Sequence, residues 1–209
     1  MTKLYKVHHT IIVRSQEIDI RFHQWEMRML DASCNLQSTP VESRLIHLEY
    51  KDQIFSVMNR YSRALDWLDD VLIKDVFFDD AQIDYGFFKG TGAEFRPILM
   101  DVERAAGRRW HFTAQVSVDI DGDVAHASSY NLTFAAATVG STPPADLSSF
   151  FGYYIDRFER RDGTWNIAAR RHLLIAGTQW KEIEITGPLA SLNAIGATTT
   201  DHPDYHRMP

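Results

Sequence analysis

The chain has 209 residues, enough for one domain with extensions and a sizeable core. With 44% hydrophobic and 24% charged residues it reads as globular, and a net charge of -6 with a pI near 5.8 argues against a nucleic-acid partner. No apolar run reaches bilayer length, the first residues lack a secretory pattern, and the single cysteine, Cys34, excludes an internal disulfide; a cytoplasmic protein with no membrane partner is expected.

Residues 1–38 carry little periodicity, with strand composition at TIIV and helix composition around HQWEMRML, and are read as an N-terminal extension. Thr39-Pro40-Val41-Glu42 has the form of a capping box and predicts a helix start. Its apolar stripe is Val41, Leu45, Leu48, Phe55, Met58 and Leu65, ending near Asp66, and a second short helix is expected over Asp69 to Phe77. AQIDYG predicts a strand closed by Gly86. AEFRPILMDVERAAG predicts a helix with Pro97 in its first turn and Gly107 as its stop. Two hairpins follow, with Asp-Gly turns at Asp121-Gly122 and Asp162-Gly163, separated by the loop TVGSTPPADLS. After the last strand, WNIAARRHLLIAG, residues 181–209 read as a tail. The order predicts an α+β domain over 39–180, in which a curved, mostly antiparallel sheet wraps around helices and encloses a pocket.

In RRWHFTAQVSVDIDGDVAHASSYNLTF, strict alternation puts Trp110, Phe112, Ala114, Val116 and Val118 on one face and His111, Thr113, Gln115 and Ser117 on the other. No metal is expected: the histidines lack ligand spacing, and Pro203 interrupts His202 and His206. Neither a glycine-rich phosphate loop nor a G-x-S-x-G elbow nor a dinucleotide fingerprint is present, so no cofactor is expected. A reactive Cys34 is weighed against the commoner inert thiol. Acid–base chemistry remains. His111 is the natural proton-transfer group if a carboxylate fixes its tautomer, and Asp66, Asp69 and Asp70 are all candidates that spacing does not separate. The alternative is a strand histidine bonded to a backbone carbonyl.

Three stretches carry a resemblance: YSRALDWLDDVLIKDVFFDDAQIDYGFFKGTGAEF, WHFTAQVSVDIDGDVA and YIDRFERRDGTWNIAARR. Together, over residues 50 to 175, they resemble the SnoaL-like group of the nuclear transport factor 2 superfamily, to which scytalone dehydratase, bile-acid 7α-dehydratase and hexachlorocyclohexane dehydrochlorinase belong. The resemblance implies the conical α+β fold of that superfamily and a catalytic dyad at Asp66 and His111. It also implies pocket tyrosines at Tyr61, Tyr85 and Tyr154. Gln115 stands where the group favours asparagine, and its second pocket histidine would fall near Thr133 or Phe134. Asn131 or Tyr130 could take that place, with Asn131 preferred. Of Arg170 and Arg171 only one can face inward, and Arg171 is preferred. Trp67, Phe77, Phe87, Phe95, Trp110, Phe134 and Phe151 are available as apolar lining, with Trp110 taken as substrate-binding.

The implied activity is a cofactor-independent lyase acting on a small hydrophobic or aromatic substrate, by dehydration or by loss of formaldehyde as in the diarylpropane lyases. In it Asp66 orients His111, which moves the proton. The alternatives on this fold are a polyketide-type cyclase or isomerase, the non-catalytic β subunit of an aromatic-ring dioxygenase, and a binding module. A homo-oligomer, trimer or dimer, is also implied.

Overall fold

The computed structural model describes residues 40–136, 146–183, 186–193 and 195–206. The TIIV strand, the HQWEMRML helix, Cys34, the Thr39 cap and most of the TVGSTPPADLS loop lie outside them. Leu45–Pro209 form one compact unit.

Helix α1 spans Val41–Trp67, a run without glycine or proline. Its buried face is Ile54, Val57, Met58, Tyr61, Ala64 and Leu65. The expected stripe is therefore corrected at its start: Val41, Leu45 and Leu48 are exposed, and only the second half of the helix meets the core. The helix stops without a glycine. Leu68 takes a left-handed φ of 55°, its N–H bonds to Leu65 O, and the N–H of Asp69 bonds to Ala64 O. This is the paired closure of a Schellman motif, here at the extra cost of a side chain in the left-handed region.

The second expected helix is only a 3-10 turn at Leu72–Asp75, capped by Asp69, and Phe77 already belongs to a strand. Strand β1 (Phe77–Asp84) turns back through β2 (Lys89–Thr91) into helix α2 (Gly92–Arg104). The α2 start carries a full capping box between Thr91 and Glu94. Pro97 falls in the second turn, not the first. It and Ala93, whose carbonyl it leaves without an intrahelical donor, are both exposed, so water can take the bond.

Strands β3 (Arg108–Asp121), β4 (Val124–Ala136), β5 (Asp146–Arg161) and β6 (Thr164–Lys181) follow. They complete a curved, open mixed sheet in the order β2-β1-β6-β5-β4-β3, antiparallel except for β1 beside β6. Both hairpins have two-residue turns. Asp162 and Gly163 both have positive φ, as a type I′ turn requires; in the other, the loop is Gly122-Asp123, with positive φ at Gly122 alone.

One irregularity decides which residues face inward. Between the pairs Ala114↔Tyr130 and Ser117↔Ser128, β3 carries one residue more than β4, and Gln115 has a φ of 50°. The bulge switches faces, so His111 and Thr113 share the inner face with Val116, Val118 and Ile120, which pack on the core. The expected single alternation from Trp110 to Val118 is corrected accordingly. The core lies between α1, α2 and the inner sheet face, around Phe77, Phe95, Phe158, Trp165 and Ile167. Each such side chain contributes about 1.5–3 kcal/mol on burial.

Candidate active site

Asp66 occupies the last turn of α1, held there by the closure at Leu68, and reaches the first residues of β3. Its Oδ1 accepts the backbone N–H of His111 at 2.8 Å and lies 2.8 Å from His111 Nδ1. One oxygen thus pins both the strand and the ring, and it assigns the proton to Nδ1. Nε2 is left as the exchanging position and faces Glu103 Oε1, from the end of α2, at 3.4 Å. Burial alone would lower the pKa of His111. The hydrogen bonds and charges of Asp66 and Glu103 reverse that and push it up to about 9. Burial pushes the Asp66 carboxyl up, against the pull of His111.

The other candidate carboxylates are used elsewhere. Asp69 accepts the N–H groups of Val71 and Leu72 and the Tyr205 hydroxyl, whereas Asp70 pairs with Arg104. Below His111 on the same face, buried Arg109 donates to the carbonyls of Asp66, Ala106 and Thr198. It ties the ends of α1 and α2 to the C-terminal segment. That segment continues onto α1, where His202 and Tyr205 pack against Trp67.

Beside the dyad lies a cluster of hydroxyls. Tyr61 OH is 2.6 Å from Tyr85 OH and 3.5 Å from Tyr154 OH, and the Tyr61 ring stands edge-on to His111 with centroids 6.4 Å apart. Asn131 Nδ2 donates to Tyr154 OH at 3.3 Å and lies 3.4 Å from His172 Nε2. Burial raises the pKa of all three tyrosines, so each keeps its proton at neutral pH. Burial, with Arg170 nearby, lowers that of His172, which is therefore neutral. The Arg170 guanidinium packs against both the Tyr61 and Tyr154 rings, 4.3 and 4.1 Å from their centroids, and pairs with Asp156 through two 2.7 Å bonds. A cleft of about 290 Å³ opens between α1 and β3, lined by Phe55, Met58, Asn59, Thr113 and Val116.

The structure therefore brings together Asp66, His111, Tyr61, Tyr85, Tyr154 and Asn131. Two expected residues are not among them. Arg171 is exposed, because strand alternation on β6 turns Arg170 inward instead. Trp110 lies on the outer face, 52% exposed and stacked on Phe134, so it does not line the interior. Of the other aromatics expected as lining, Phe77 and Phe95 are core, and Phe87 and Phe151 are exposed. Two residues of the interior were missed. Glu103 continues the buried spacing of Phe95 and Leu99 by four, a polar residue on an apolar stripe. His172 continues the alternation from Ala168 and Arg170, which the sequence shows only once register is known.

Gly152 is what lets Asn131 and His172 meet. A Cβ there would stand 2.3 Å from Leu173 O, 2.8 Å from Asn131 Oδ1 and 3.2 Å from His172 Nε2. The first contact is backbone in the middle of the sheet, so the strands must part. Gly152→Ala is expected to destabilise the fold by about 1–3 kcal/mol, read as a lower urea midpoint; an unchanged midpoint would contradict this packing.

Among the described residues no group of three or more His, Cys, Asp or Glu side chains is placed to hold a metal ion, and no helix is long and apolar enough to cross a membrane.

The fold recurs in solved structures. LinA superposes with a TM-score of 0.61 at 19% identity, over 70% of this chain and 99% of that one. The hexachlorocyclohexane dehydrochlorinase LinA-type3 from Novosphingobium barchaimii LL02 gives 0.60 at 17% identity, over 69% and 99%. A scytalone dehydratase-like protein from Novosphingobium aromaticivorans DSM 12444 gives 0.56 at 17%, over 78% and 99%. At these identities the likeness concerns the fold. Curated proteins return no match. The model of the SnoaL-like domain matches residues 47–171, more than half of the chain, and takes in α1 from its second turn, α2 and the paired strands through Arg171. With the six-stranded curved sheet behind that match, the chain belongs to the SnoaL-like domain family.

Proposed function

We propose that the protein is a cofactor-independent lyase that eliminates water, or releases formaldehyde, from a small hydrophobic aromatic substrate by acid–base catalysis at Asp66 and His111. The observation that carries this reading is the double contact of Asp66 Oδ1 with the backbone and ring of His111. A carboxylate in that place fixes the tautomer, leaves Nε2 to exchange protons and stabilises the charged ring. The protonated tyrosines Tyr61 and Tyr85, hydrogen-bonded to each other, are donors suited to a developing oxyanion. The names of the neighbouring structures, a dehydrochlorinase and a scytalone dehydratase-like protein, support elimination as the reaction type.

The test is an ultraviolet scan of purified protein with a panel of hydroxylated aromatic compounds, with formaldehyde assayed in parallel. Elimination creates a conjugated double bond, so absorbance should grow at longer wavelength. Formaldehyde release distinguishes deformylation from dehydration. A flat response across the panel would count against the lyase and for a binding or subunit role.

A further inference from the structure

Glu103 is a largely shielded carboxylate that the dyad does not require. Its side chain is 12% exposed, its Oε1 faces His111 Nε2 at 3.4 Å and its Oε2 lies 4.0 Å from Arg109 Nε. The ring is thereby flanked by a carboxylate on each nitrogen, Asp66 from α1 and Glu103 from α2. Arg109, from its own strand, is the remaining charge nearby, and the Tyr61 ring edge is the other titratable neighbour. With both nitrogens facing carboxylates, the resting ring is an imidazolium, and a proton carrier that is already full cannot begin by removing a proton.

Resting on the lyase reading, we propose that Glu103 is the catalytic base and that His111 acts as the paired acid. A substrate bearing an acidified C–H beside a C–OH would meet both groups from one side. Glu103 takes the proton from carbon, the C–H electron pair becomes the double bond, and the C–O bond breaks as His111 Nε2–H protonates the departing hydroxyl to water. Glu103 then holds a proton and His111 is neutral, and one transfer across their own contact restores the starting state. The cycle needs no outside acid or base. Each transfer needs a reach of about 3–3.5 Å, which two groups side by side on one wall can provide for a hydroxyl and a neighbouring C–H on the same face of the substrate.

The experiment compares wild type, Glu103→Gln and Glu103→Asp. By nitrogen-15 NMR of the ligand-free proteins, the His111 titration midpoint should fall by at least one unit in Glu103→Gln, while the Nδ1 proton bonded to Asp66 stays visible as evidence that the site is intact. An unchanged midpoint overturns the proposal. With a substrate from the panel, Glu103→Gln should lose about 10²–10⁴-fold in kcat, and Glu103→Asp should recover part of that loss. A merely packing role predicts the reverse order, since glutamine keeps the shape and aspartate does not. The wild-type rate should fall as pH rises through the His111 midpoint; a rate that climbs there means the ring is the base, and the proposal fails. A wild type that turns over no substrate removes the lyase reading itself, whereas equal activity of wild type and Glu103→Gln removes only the part given to Glu103.

Discussion

Asp66→Asn is expected to lower turnover by about 10²–10⁴-fold, and His111→Gln by a similar factor. The asparagine oxygen can still accept from the His111 backbone, but it no longer carries the charge that holds the ring protonated and oriented. Rotating the amide would bring its NH2 against two donors. The same change should flatten the dependence of stability on pH. The His111 pKa is raised to about 9 in the folded protein, above its ordinary 6.5. Its contribution is therefore fully present below 6.5 and disappears as pH rises through 9. Two and a half units would correspond to an upper bound of roughly 3 kcal/mol. Urea midpoints at neutral pH and at pH near 10 should differ clearly in the wild type and much less in Asp66→Asn. Equal differences in both proteins would show that the ring draws its charge from elsewhere.

What the sequence disclosed depended on how local each signal was. The uninterrupted run of α1 and the Asp162-Gly163 turn are written in neighbouring residues and appear where those residues stand, whereas the other turn falls one residue later than expected, at Gly122-Asp123. The likeness over residues 50 to 175 then supplied the order in which Asp66 and His111 come together, which spacing could not. The errors lie where a partner strand decides. The bulge at Gln115 exists through its pairing with β4, and it puts His111 on the face of Val118 and parts Trp110 from that face. Arg170 and Arg171 are adjacent and chemically alike, so only the register of β6 turns one inward. The length of α1 was legible, but its exposed first turns were not, because Val41, Leu45 and Leu48 carry the same apolar spacing as the half that is buried.

Arg170→Met should destabilise the fold by about 3–5 kcal/mol. Arg170 and Asp156 are each about 1% exposed at the side chain and meet through two parallel bonds. Burial opposes the charge on Arg170, yet Asp156 overrides it and its pKa stands well above the ordinary value. Removing the guanidinium leaves a carboxylate with no counter-charge in a place water does not reach. It also strips the tyrosines Tyr61 and Tyr154 of the flat group packed against both rings. Asp156→Asn leaves the complementary fault, a buried cation, and should cost a similar amount. The pair Arg170→Met with Asp156→Leu exposes the logic, because it deletes both charges and refills the space with apolar atoms. Its destabilisation should fall well short of the sum of the single changes, since desolvating the two ions was itself a burden on the native fold. Additive losses in urea unfolding would mean that the two side chains act separately. A loss of activity in a folded double variant would instead place their value in holding Tyr61 beside His111.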